Sequence, residues 1–262
     1  MRIGVVIPVY NEARWVEAAV SRVLEAPVAP TPEGWPCDRT VYAVDDGSTD
    51  GTVEILRRMG ELQGVVTQFH PANRGKGAAI RTGIARALQD GVDIVVIHDA
   101  DLEYDPKDHV AALAPILDGR ADAVIGSRFI GQTHRVLYYW HYLANKFITT
   151  CCNMATNLNL TDVECCTKAF AASALRTMTL TEERFGIEIE LVAKIAKAWV
   201  PEAAPGATPP TQTGAEGARR RRARVYEVAV NYAGRTYEEG KKITWCDGLA
   251  ALACIVKHGV LG

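Results

Sequence analysis

The stretch that decides the fold is Val92-Asp93-Ile94-Val95-Val96-Ile97-His98-Asp99-Ala100-Asp101-Leu102-Glu103 (92–103), which joins a short apolar run to an acidic cluster. The apolar run is rich in β-branched residues, which is typical of a strand buried in a parallel sheet. A strand that ends in Asp-x-Asp carries two carboxylates to the carboxyl edge of the sheet, where open α/β sheets bind ligands. Residues i and i+2 of an extended segment point to the same side, so Asp99 and Asp101 are expected to converge.

Two converging carboxylates repel each other unless a cation or a donor-rich ligand lies between them. A hard divalent ion bound to a diphosphate meets that need, because such ions take one or two carboxylates together with phosphate oxygens. The alternative is a solvated acidic loop, because Asp-x-Asp also occurs often by chance. The motif therefore predicts a metal and diphosphate site only in combination with the rest of the chain.

Apolar periodicity and turn residues predict alternating strands and helices on both sides of this motif. Strands are predicted at 2–9, 41–44, 65–70, 92–98, 123–126 and 225–232, and helices at 12–25, 52–59, 78–89, 107–117, 134–158, 185–198 and from about 245. Such alternation predicts an α/β chain with a mostly parallel sheet flanked by helices. The first strand is not followed by G-x-G-x-x-G, so the usual dinucleotide fingerprint is missing.

The composition is ordinary for a soluble globular protein, with 48% apolar and 23% charged residues among 262. This length suits one large α/β domain, and we expect a single domain over residues 1–262. The net charge of −2 gives no general signature of nucleic-acid binding. No apolar run approaches the roughly 18 residues of a membrane-spanning helix.

Cysteine usage bears on the chemistry and on the compartment. Seven cysteines are present without a C-x-x-C pair, so neither a zinc site nor a thioredoxin-type motif is indicated. The sequence begins with a predicted strand rather than a signal peptide. We therefore expect free thiols and a cytoplasmic location.

Residues 201–224 interrupt the α/β pattern. The proline-rich, low-complexity part cannot bury a core, which predicts a flexible insertion over 201–224. The insertion ends in an arginine run at 219–224 that has no interleaved aromatic residues, which argues against a nucleic-acid partner. Two interpretations stay open for this run: attraction to anionic lipid headgroups, and a passive solubilising linker.

Five motifs occur in a characteristic order along the chain. They are Ile7-Pro8-Val9-Tyr10-Asn11-Glu12, Val44-Asp45-Asp46-Gly47-Ser48-Thr49-Asp50-Gly51-Thr52, Asn73-Arg74-Gly75-Lys76-Gly77-Ala78, Asp99-Ala100-Asp101-Leu102-Glu103 and Gly126-Ser127-Arg128-Phe129. With these motifs the chain resembles family 2 glycosyltransferases of the GT-A fold (a Rossmann-like α/β fold), in the polyprenyl (dolichyl) phosphate mannose or glucose synthase branch. The likeness covers residues 3–195 and resumes at about 225.

The resemblance implies an inverting transfer of a hexose, glucose or mannose, from a UDP- or GDP-sugar to a polyprenyl phosphate. It also implies Mg²⁺ or Mn²⁺ as cofactor, with Asp101 and Glu103 as metal ligands and Asp99 near the ribose or a metal-bound water. The chemistry agrees, because a bound metal neutralises the charge of a diphosphate leaving group. An acceptor that is already anionic needs no strong general base.

The residues of the donor pocket are also implied by the resemblance. Pro8, Tyr10 and Glu12 would line the nucleotide pocket, Asp46 would bind the base or ribose, and Lys76 would meet the nucleotide or its phosphate. A lysine in a glycine-flanked turn before a helix is well placed for phosphate. The alternatives are that Pro8 only ends a strand and that Lys76 is solvated.

Cations are expected to hold the acceptor phosphate. Arg128 and Arg135 match the family's acceptor arginines and are implied, with Asp101, to be catalytic; Lys168, Arg235 and Lys242 are further phosphate-binding candidates. An arginine fork binds phosphate oxygens bidentately while it stays charged. The alternatives are a surface salt bridge for the arginines at 128 and 135, and a solvated loop around 235–242.

Two further features are ambiguous from the sequence. Glu188 and Glu190 are two residues apart on a predicted helix, so they cannot face the same direction and at most one is expected at a sugar pocket. The aromatic group Tyr138, Tyr139, Trp140 and Tyr142 fits either a membrane-facing patch or the core. A membrane-facing patch would agree with peripheral contact at the inner, anionic face of a membrane.

Three rival functions remain at this point. The first is a glycosyltransferase of the same fold with a soluble, phosphorylated or other small-molecule acceptor. The second is a nucleotidyltransferase, which would be expected to carry a glycine-rich first loop that is missing after Val6. The third is a non-catalytic binder of nucleotide-sugars, against which the retention of Asp101 and the arginines argues.

Overall fold

A seven-stranded sheet forms the centre of the computed structural model, which describes all residues except 29, 33, 35, 132–134, 136–137, 203–218, 237, 239–244 and 262 and leaves out the side chains of 245–247. In chain order the strands are β1 (Arg2–Val9), β2 (Asp38–Asp45), β3 (Val65–Phe69), β4 (Ile94–Ile97), β5 (Ala123–Ser127), β6 (Lys168–Ala171), β7 (Trp199–Pro201), β8 (Arg220–Arg222) and β9 (Val225–Ala229). The sheet order is β3-β2-β1-β4-β6-β5-β9, and β7 pairs with β8 apart from it.

The helices flank this sheet. They are α1 (Val16–Glu25), α2 (Thr52–Met59), α3 (Lys76–Gln89), α4 (His109–Leu117), α5 (Tyr139–Thr156), α6 (Ala172–Leu175), α7 (Ile187–Lys197) and α8 (Trp245–Cys254), with a 3-10 turn at Pro106–Asp108 and a π-helical segment at Ile255–Val260. Strands β3, β2, β1 and β4 are parallel, and β5 is parallel to β9. The prediction of a mostly parallel, helix-flanked sheet is confirmed.

The parallel half is buried because its strands are apolar on both faces. Every residue of β4 is buried, and so are the apolar residues of β1 from Ile3 to Ile7. Helix α3 lies directly on β1, since a Cβ added at Gly83 would lie 2.5 Å from Cγ1 of Val6. This close packing fixes the first turn of α3, and with it Lys76, against the carboxyl edge of the sheet.

Strand β6 is the main element that the sequence pattern does not predict. It runs antiparallel between β4 and β5, with Lys168 opposite Ile97 on one side and Ile125 on the other. The strand is only four residues long and begins with a charged residue, so periodicity gives no signal for it. Because β6 is antiparallel, its first residue lies at the edge where the parallel strands end.

The expected flexible insertion at 201–224 is wrong at both of its ends. Residues 199–201 and 220–222 pair as the antiparallel strands β7 and β8. Arg221 donates to both carboxylate oxygens of Asp122, at 2.5 and 2.9 Å, and Arg224 donates to the carbonyl of Gly119 at 2.6 Å. These arginines stabilise the fold instead of forming a solvated linker, and 203–218 lie outside the described residues.

The first helix begins later than predicted. Helix α1 starts at Val16 rather than at Glu12, because residues 13–15 form a turn in which the Glu12 carbonyl accepts from the amides of Trp15 and Val16. The turn leaves Glu12 at the end of β1, close to the other strand ends.

The C-terminal helices are held by ion pairs to the segment before α7. Lys257 Nζ donates to Glu182 Oε1 at 2.6 Å, and His258 Nε2 lies 2.8 Å from the same oxygen.

In the part of the chain that the structure describes, no helix combines the length and apolar character needed to cross a membrane.

Phe170 supplies a direct test of the central sheet, because its ring is fully buried on β6. We expect Phe170→Ala to lower the free energy of unfolding by about 3–5 kcal/mol through the cavity it creates. The same substitution at the exposed Phe69 on edge strand β3 should cost less than about 1 kcal/mol. Urea unfolding of both variants measures this, and equal losses would contradict the placement of β6.

Glu182 supplies a test at low pH. Burial raises its pKa and the hydrogen bonds from Lys257 and His258 lower it, with a net fall from 4.5 to about 2. A lowered carboxyl pKa stabilises the fold above the unfolded-state value and loses that contribution as pH falls through 4.5 towards 2. The difference in unfolding free energy between wild type and Glu182→Gln, on the order of 1 kcal/mol near neutrality, should therefore shrink over that range.

The control for this test is Glu54→Gln, on the exposed side of α2. It should keep the wild-type dependence of unfolding on pH. A constant difference between wild type and Glu182→Gln from pH 5 to pH 2 would contradict the ion pairs described for the C-terminal helices.

Candidate functional site

Asp99 and Asp101 follow β4 and reach the carboxyl edge of the sheet, as the sequence predicts. Lys76, at the start of α3, contacts the Asp99 carboxylate at 2.9 Å and the Glu188 carboxylate at 3.0 Å. Burial raises the pKa of Asp99, and the neighbouring Lys76 charge lowers it to a value below the usual one. Lys76 is thus an enclosed cation between two carboxylates and is not the solvated lysine of the alternative interpretation.

Lys168 continues this alternation of charge. It is fully buried at the start of β6, and its ammonium donates to the Glu188 carboxylate and to the carbonyl of Cys165. Glu190, in contrast, accepts hydrogen bonds from the amides of Thr181 and Glu182 on another side of α7. The two glutamates face different directions, and Glu188 is the one at the site.

Asp101 lies among acidic groups and contacts the guanidinium of Arg235. Its Oδ2 is 3.3 Å from Nη2 of Arg235, and that guanidinium also reaches Glu12 at 3.5 Å and Glu103 at 3.3 Å. Burial, followed by the charges of Asp99 and Glu103, raises the pKa of Asp101 to about 7. The carboxylates of Glu12, which follows β1, and of Asp101 and Glu103, in the loop after β4, thus surround one guanidinium at an edge that favours positive charge.

The donor groups present fit a divalent ion that takes few protein ligands. In the described residues no three His, Cys, Asp or Glu side chains gather into a metal-binding group. Asp101 offers a half-buried carboxylate, which suits an ion that completes its shell with phosphate oxygens and water. The Glu103 carboxylate accepts from the Tyr232 hydroxyl at 2.7 Å and the Arg235 amide at 2.9 Å, so here it holds the loop after β9.

Asp46 acts on the neighbouring loop. Its carboxylate lies 2.7 Å from His70 Nδ1 and accepts from the amides of Arg74 and Gly75, at 3.0 and 2.6 Å. Gly75 has φ of +108°, and a Cβ there would lie 2.4 Å from the carbonyl of Glu183, so only glycine fits. The structure thus gives Asp46 a positioning role for Lys76, and a direct contact with a base or ribose stays a prediction.

The other candidates for the donor side lie at the end of β1. Pro8 pairs with Val44 within the sheet, Tyr10 follows the strand with an exposed ring, and Glu12 is buried beside Arg235. All three lie at or just after the end of β1, at the carboxyl edge of the sheet. Their contact with a nucleotide stays a prediction.

Arg128 is paired with a buried aspartate. Its Nε and Nη2 donate to the two oxygens of Asp162 at 2.6 and 2.8 Å, and its backbone amide donates to the same carboxylate at 3.1 Å. Asn145 of α5 adds a hydrogen bond to Asp162 at 3.1 Å. The ring of Tyr232 lies 5.1 Å from the guanidinium carbon. This is a buried, oriented ion pair and not the surface salt bridge of the alternative.

Arg135 and Arg235 bring positive charge to the same edge. The Arg135 amide donates to the Tyr232 carbonyl at 2.9 Å, and its Nη1 donates to the carbonyl of Gly234 at 3.2 Å. The segment after β9 therefore connects both arginines to the carboxylate cluster. Lys242 lies outside the described residues, so its assignment stays a prediction.

The family model for "Glycosyl transferase family 2" matches residues 4–179, which include most of β1, all of β2 to β6 and the residues described above up to that point. The chain belongs to glycosyltransferase family 2. Glycosyltransferase AglJ of Haloferax volcanii is 30% identical over 193 residues, which are 74% of this chain and 58% of that protein.

The names of two bacterial relatives include a lipid phosphate, undecaprenyl phosphate. The undecaprenyl-phosphate mannosyltransferase of Micrococcus luteus is 28% identical over 208 residues, which are 75% of this chain and 79% of that protein. The undecaprenyl-phosphate 4-deoxy-4-formamido-L-arabinose transferase of Aeromonas hydrophila is 29% identical over 189 residues, 70% of this chain and 52% of that protein. The chain spans about half the length of the first curated relatives, 48% to 58%.

A solved structure gives the fold. Glucosyl-3-phosphoglycerate synthase of Mycobacterium tuberculosis, in complex with Mn²⁺, UDP and glucosyl-3-phosphoglycerate, superposes with a TM-score of 0.65 at 17% identity. The match covers 98% of this chain and 80% of that chain. The architecture is therefore the GT-A fold that the sequence motifs predict.

Several residues of the site are missed by sequence reasoning. Asp162 is assigned no role from the sequence, although it holds Arg128. Tyr232 gives no signal, because one tyrosine near a strand end predicts no contact with Glu103. The convergence of Arg235 with Asp101 joins positions far apart in the chain, which motif spacing cannot reveal.

The Arg128–Asp162 pair predicts a specific pattern of stability. We expect Arg128→Met to lower the free energy of unfolding by about 3–5 kcal/mol, because it leaves the Asp162 carboxylate buried without its counter-charge. The double variant Arg128→Met/Asp162→Asn should recover part of this loss. The asparagine side chain carries no charge, and its oxygen can still accept from the backbone N–H of residue 128. Chemical denaturation measures both, and equal instability would show that the ion pair is not the cause.

Proposed function

We propose that the chain transfers a hexose, glucose or mannose, with inversion from a UDP- or GDP-sugar to a polyprenyl phosphate. The observation that carries this proposal is the convergence of Asp101, Glu12 and Glu103 with Arg235 at the strand ends. A metal-bound diphosphate needs the carboxylates, and a phosphate acceptor needs cations beside them. The family membership and the names of the lipid-phosphate relatives support it.

The donor would lie along the ends of β1, β2 and β4. Asp101 would hold Mg²⁺ or Mn²⁺, whose Lewis acidity would neutralise the charge of the leaving diphosphate. Mg²⁺ or Mn²⁺ with UDP appears in the solved structures of the mycobacterial synthase, which supports this choice of ion. Lys76, held by Asp99 and Glu188, would supply a fixed positive charge near the same diphosphate.

The acceptor would bind on the side of β5 and β6. The buried Asp162 sets the plane of the Arg128 guanidinium, and the Gly234 carbonyl sets that of Arg135. Fixed cations orient an anionic nucleophile in line with the anomeric carbon and offset its repulsion from the diphosphate. Lys168 is fully enclosed by Glu188 and Cys165, so we assign it to positioning Glu188 rather than to direct phosphate contact.

A soluble phosphorylated acceptor is the second candidate. One observation favours it: the structural neighbour from Mycobacterium tuberculosis is a synthase of glucosyl-3-phosphoglycerate and contains that compound. The same arginines would bind either acceptor, because both present a phosphate. A lipid acceptor further requires that the site open towards a membrane surface.

The decisive experiment incubates the purified chain with labelled UDP- and GDP-sugars and Mg²⁺ or Mn²⁺. Parallel reactions contain a short, water-soluble polyprenyl phosphate, 3-phosphoglycerate, or no acceptor. We expect product only with the polyprenyl phosphate. Product with 3-phosphoglycerate alone would replace the lipid acceptor by a soluble one. If neither sugar transfer nor donor hydrolysis occurs under any condition, the proposal is overturned.

Asp101→Asn tests the role of the carboxylate in this reaction. The amide keeps the size and one oxygen of the side chain but removes the charge, so we expect the transfer rate to fall by about 100-fold or more. Thermal stability should not fall, because the change relieves repulsion from Asp99 and Glu103. The matched control is Asp118→Asn beside Arg120 at the opposite end of β5, which should leave the rate unchanged.

A further inference from the structure

Helix α5 exposes several large apolar side chains on its outward side. Its outward stripe is apolar: Trp140 is 74% exposed, Leu143 44%, Phe147 58% and Met154 74%. These positions recur at helical spacing of three, four and seven residues, so they form one continuous face. We call these four residues the α5 surface.

The inward side of α5 is partly polar and is fully used. Asn145 donates to the buried carboxylate of Asp162, and Thr149 donates to the Asn145 side chain at 3.2 Å and accepts from the amide of Val163 at 3.3 Å. Polar side chains of the helix thus bond to the interior beside the buried Ile148 and Cys152, and its largest apolar side chains meet solvent. Exposed apolar surface of this extent marks an interaction site.

The C-terminal helices extend this face. A Cβ at Gly248 would lie 3.9 Å from Ile148 Cδ1, and one at Gly259 would lie 2.8 Å from Ala155 Cβ, so the C-terminal segment runs alongside α5 in the same direction. That segment exposes further apolar side chains, namely Leu249, Val256, Val260 and Leu261. Two neighbouring helices therefore contribute to the exposed apolar region.

The charge around the α5 surface is positive. The sequence contains no Asp or Glu from Arg128 to Thr161, although the whole chain has 31 such residues and a net charge of −2. The same stretch carries Arg135 and Lys146. A tryptophan and several tyrosines beside basic residues are the composition found at membrane interfaces.

The α5 surface is also connected to the acceptor side of the site. The ring of Tyr142 packs against Phe129, next to Arg128, with centroids 5.1 Å apart. Lys146 Nζ lies 5.0 Å from the centroid of the same Phe129 ring, and Asn145 shares Asp162 with Arg128. A layer that contacts this face would therefore present its polar headgroups beside the arginines.

We propose that the α5 surface and the adjoining C-terminal segment bind the interface of a bilayer that contains anionic lipids. The inference deepens the proposed function, because it names the surface on which a lipid-linked acceptor would reach Arg128. A bilayer is favoured over a second copy of the chain by charge: two facing copies would bring Lys146 and its basic neighbours together. An anionic membrane attracts the same residues.

Vesicle flotation without donor or polyprenyl phosphate tests this inference separately from catalysis. The purified chain is mixed with vesicles of phosphatidylcholine, or of phosphatidylcholine with phosphatidylglycerol. We expect binding to the mixed vesicles that weakens with salt. The variant Trp140→Ser/Phe147→Ser should lower the partition coefficient by about tenfold or more, because two large apolar groups no longer enter the interface.

Leu143→Ser and Leu62→Ser form the matched pair of controls. Leu62 is 49% exposed before edge strand β3, on the opposite side of the sheet from β9. We expect only Leu143→Ser to weaken vesicle binding, with unchanged thermal unfolding in both. Equal effects of the two substitutions, or absence of wild-type binding, would overturn the inference.

Sedimentation of the same proteins tests whether a second copy of the chain, instead of a bilayer, binds the α5 surface. A wild-type dimer that Leu143→Ser dissociates, together with no vesicle binding, would assign the surface to a second copy and overturn the bilayer. The proposed function fails independently, through absence of transfer to the short polyprenyl phosphate in free solution. Vesicle binding without transfer would leave the docking surface standing and reject that acceptor.

Discussion

The rest of the structure depends on the compensation of buried negative charge at the carboxyl edge of the sheet. Asp99 is paired with Lys76, Glu188 with Lys168, Asp162 with Arg128, and Asp101 with Arg235. Each cation comes from a different element, so the pairs connect α3, β6, the loop after β5 and the loop after β9. Removal of a cation from one of these pairs leaves a desolvated carboxylate, and the free-energy cost of that falls on the packing of several elements.

These pairs differ in what they leave available for a ligand. The Lys168–Glu188 pair is enclosed, and its ammonium is also bonded to a carbonyl, so it acts as a fixed support. Arg235 lies at longer distances, 3.3 to 3.5 Å from its three carboxylates, on a loop that Glu103 holds. A divalent ion at Asp101 would compete with that guanidinium for the same charge, which would free Arg235 for phosphate. In the proposed function, the acceptor side and the metal side of the site would thus be electrostatically linked.

Sequence reasoning predicts the parallel half of the sheet well, because its strands are continuous apolar runs that end in polar motifs. The motifs also place Asp99, Asp101 and Lys76 correctly at one edge. They do not predict β6, whose first residue is a lysine. They also do not predict that Arg221, which follows a low-complexity stretch, pairs with Asp122. Interactions between residues about 100 or more positions apart, such as Arg235 with Asp101, leave no local pattern to detect.

The order of strands has a consequence for synthesis. Strands β1 to β4, with the carboxylates of the donor side, are complete by residue 103, whereas Arg235 is added more than 130 residues later. Because a domain folds as a unit, the carboxylates of Glu12, Asp101 and Glu103 receive this counter-charge only when the chain beyond β9 is present. A chain truncated before that loop would lack the guanidinium that these carboxylates share, although Asp99 would still have Lys76 beside it.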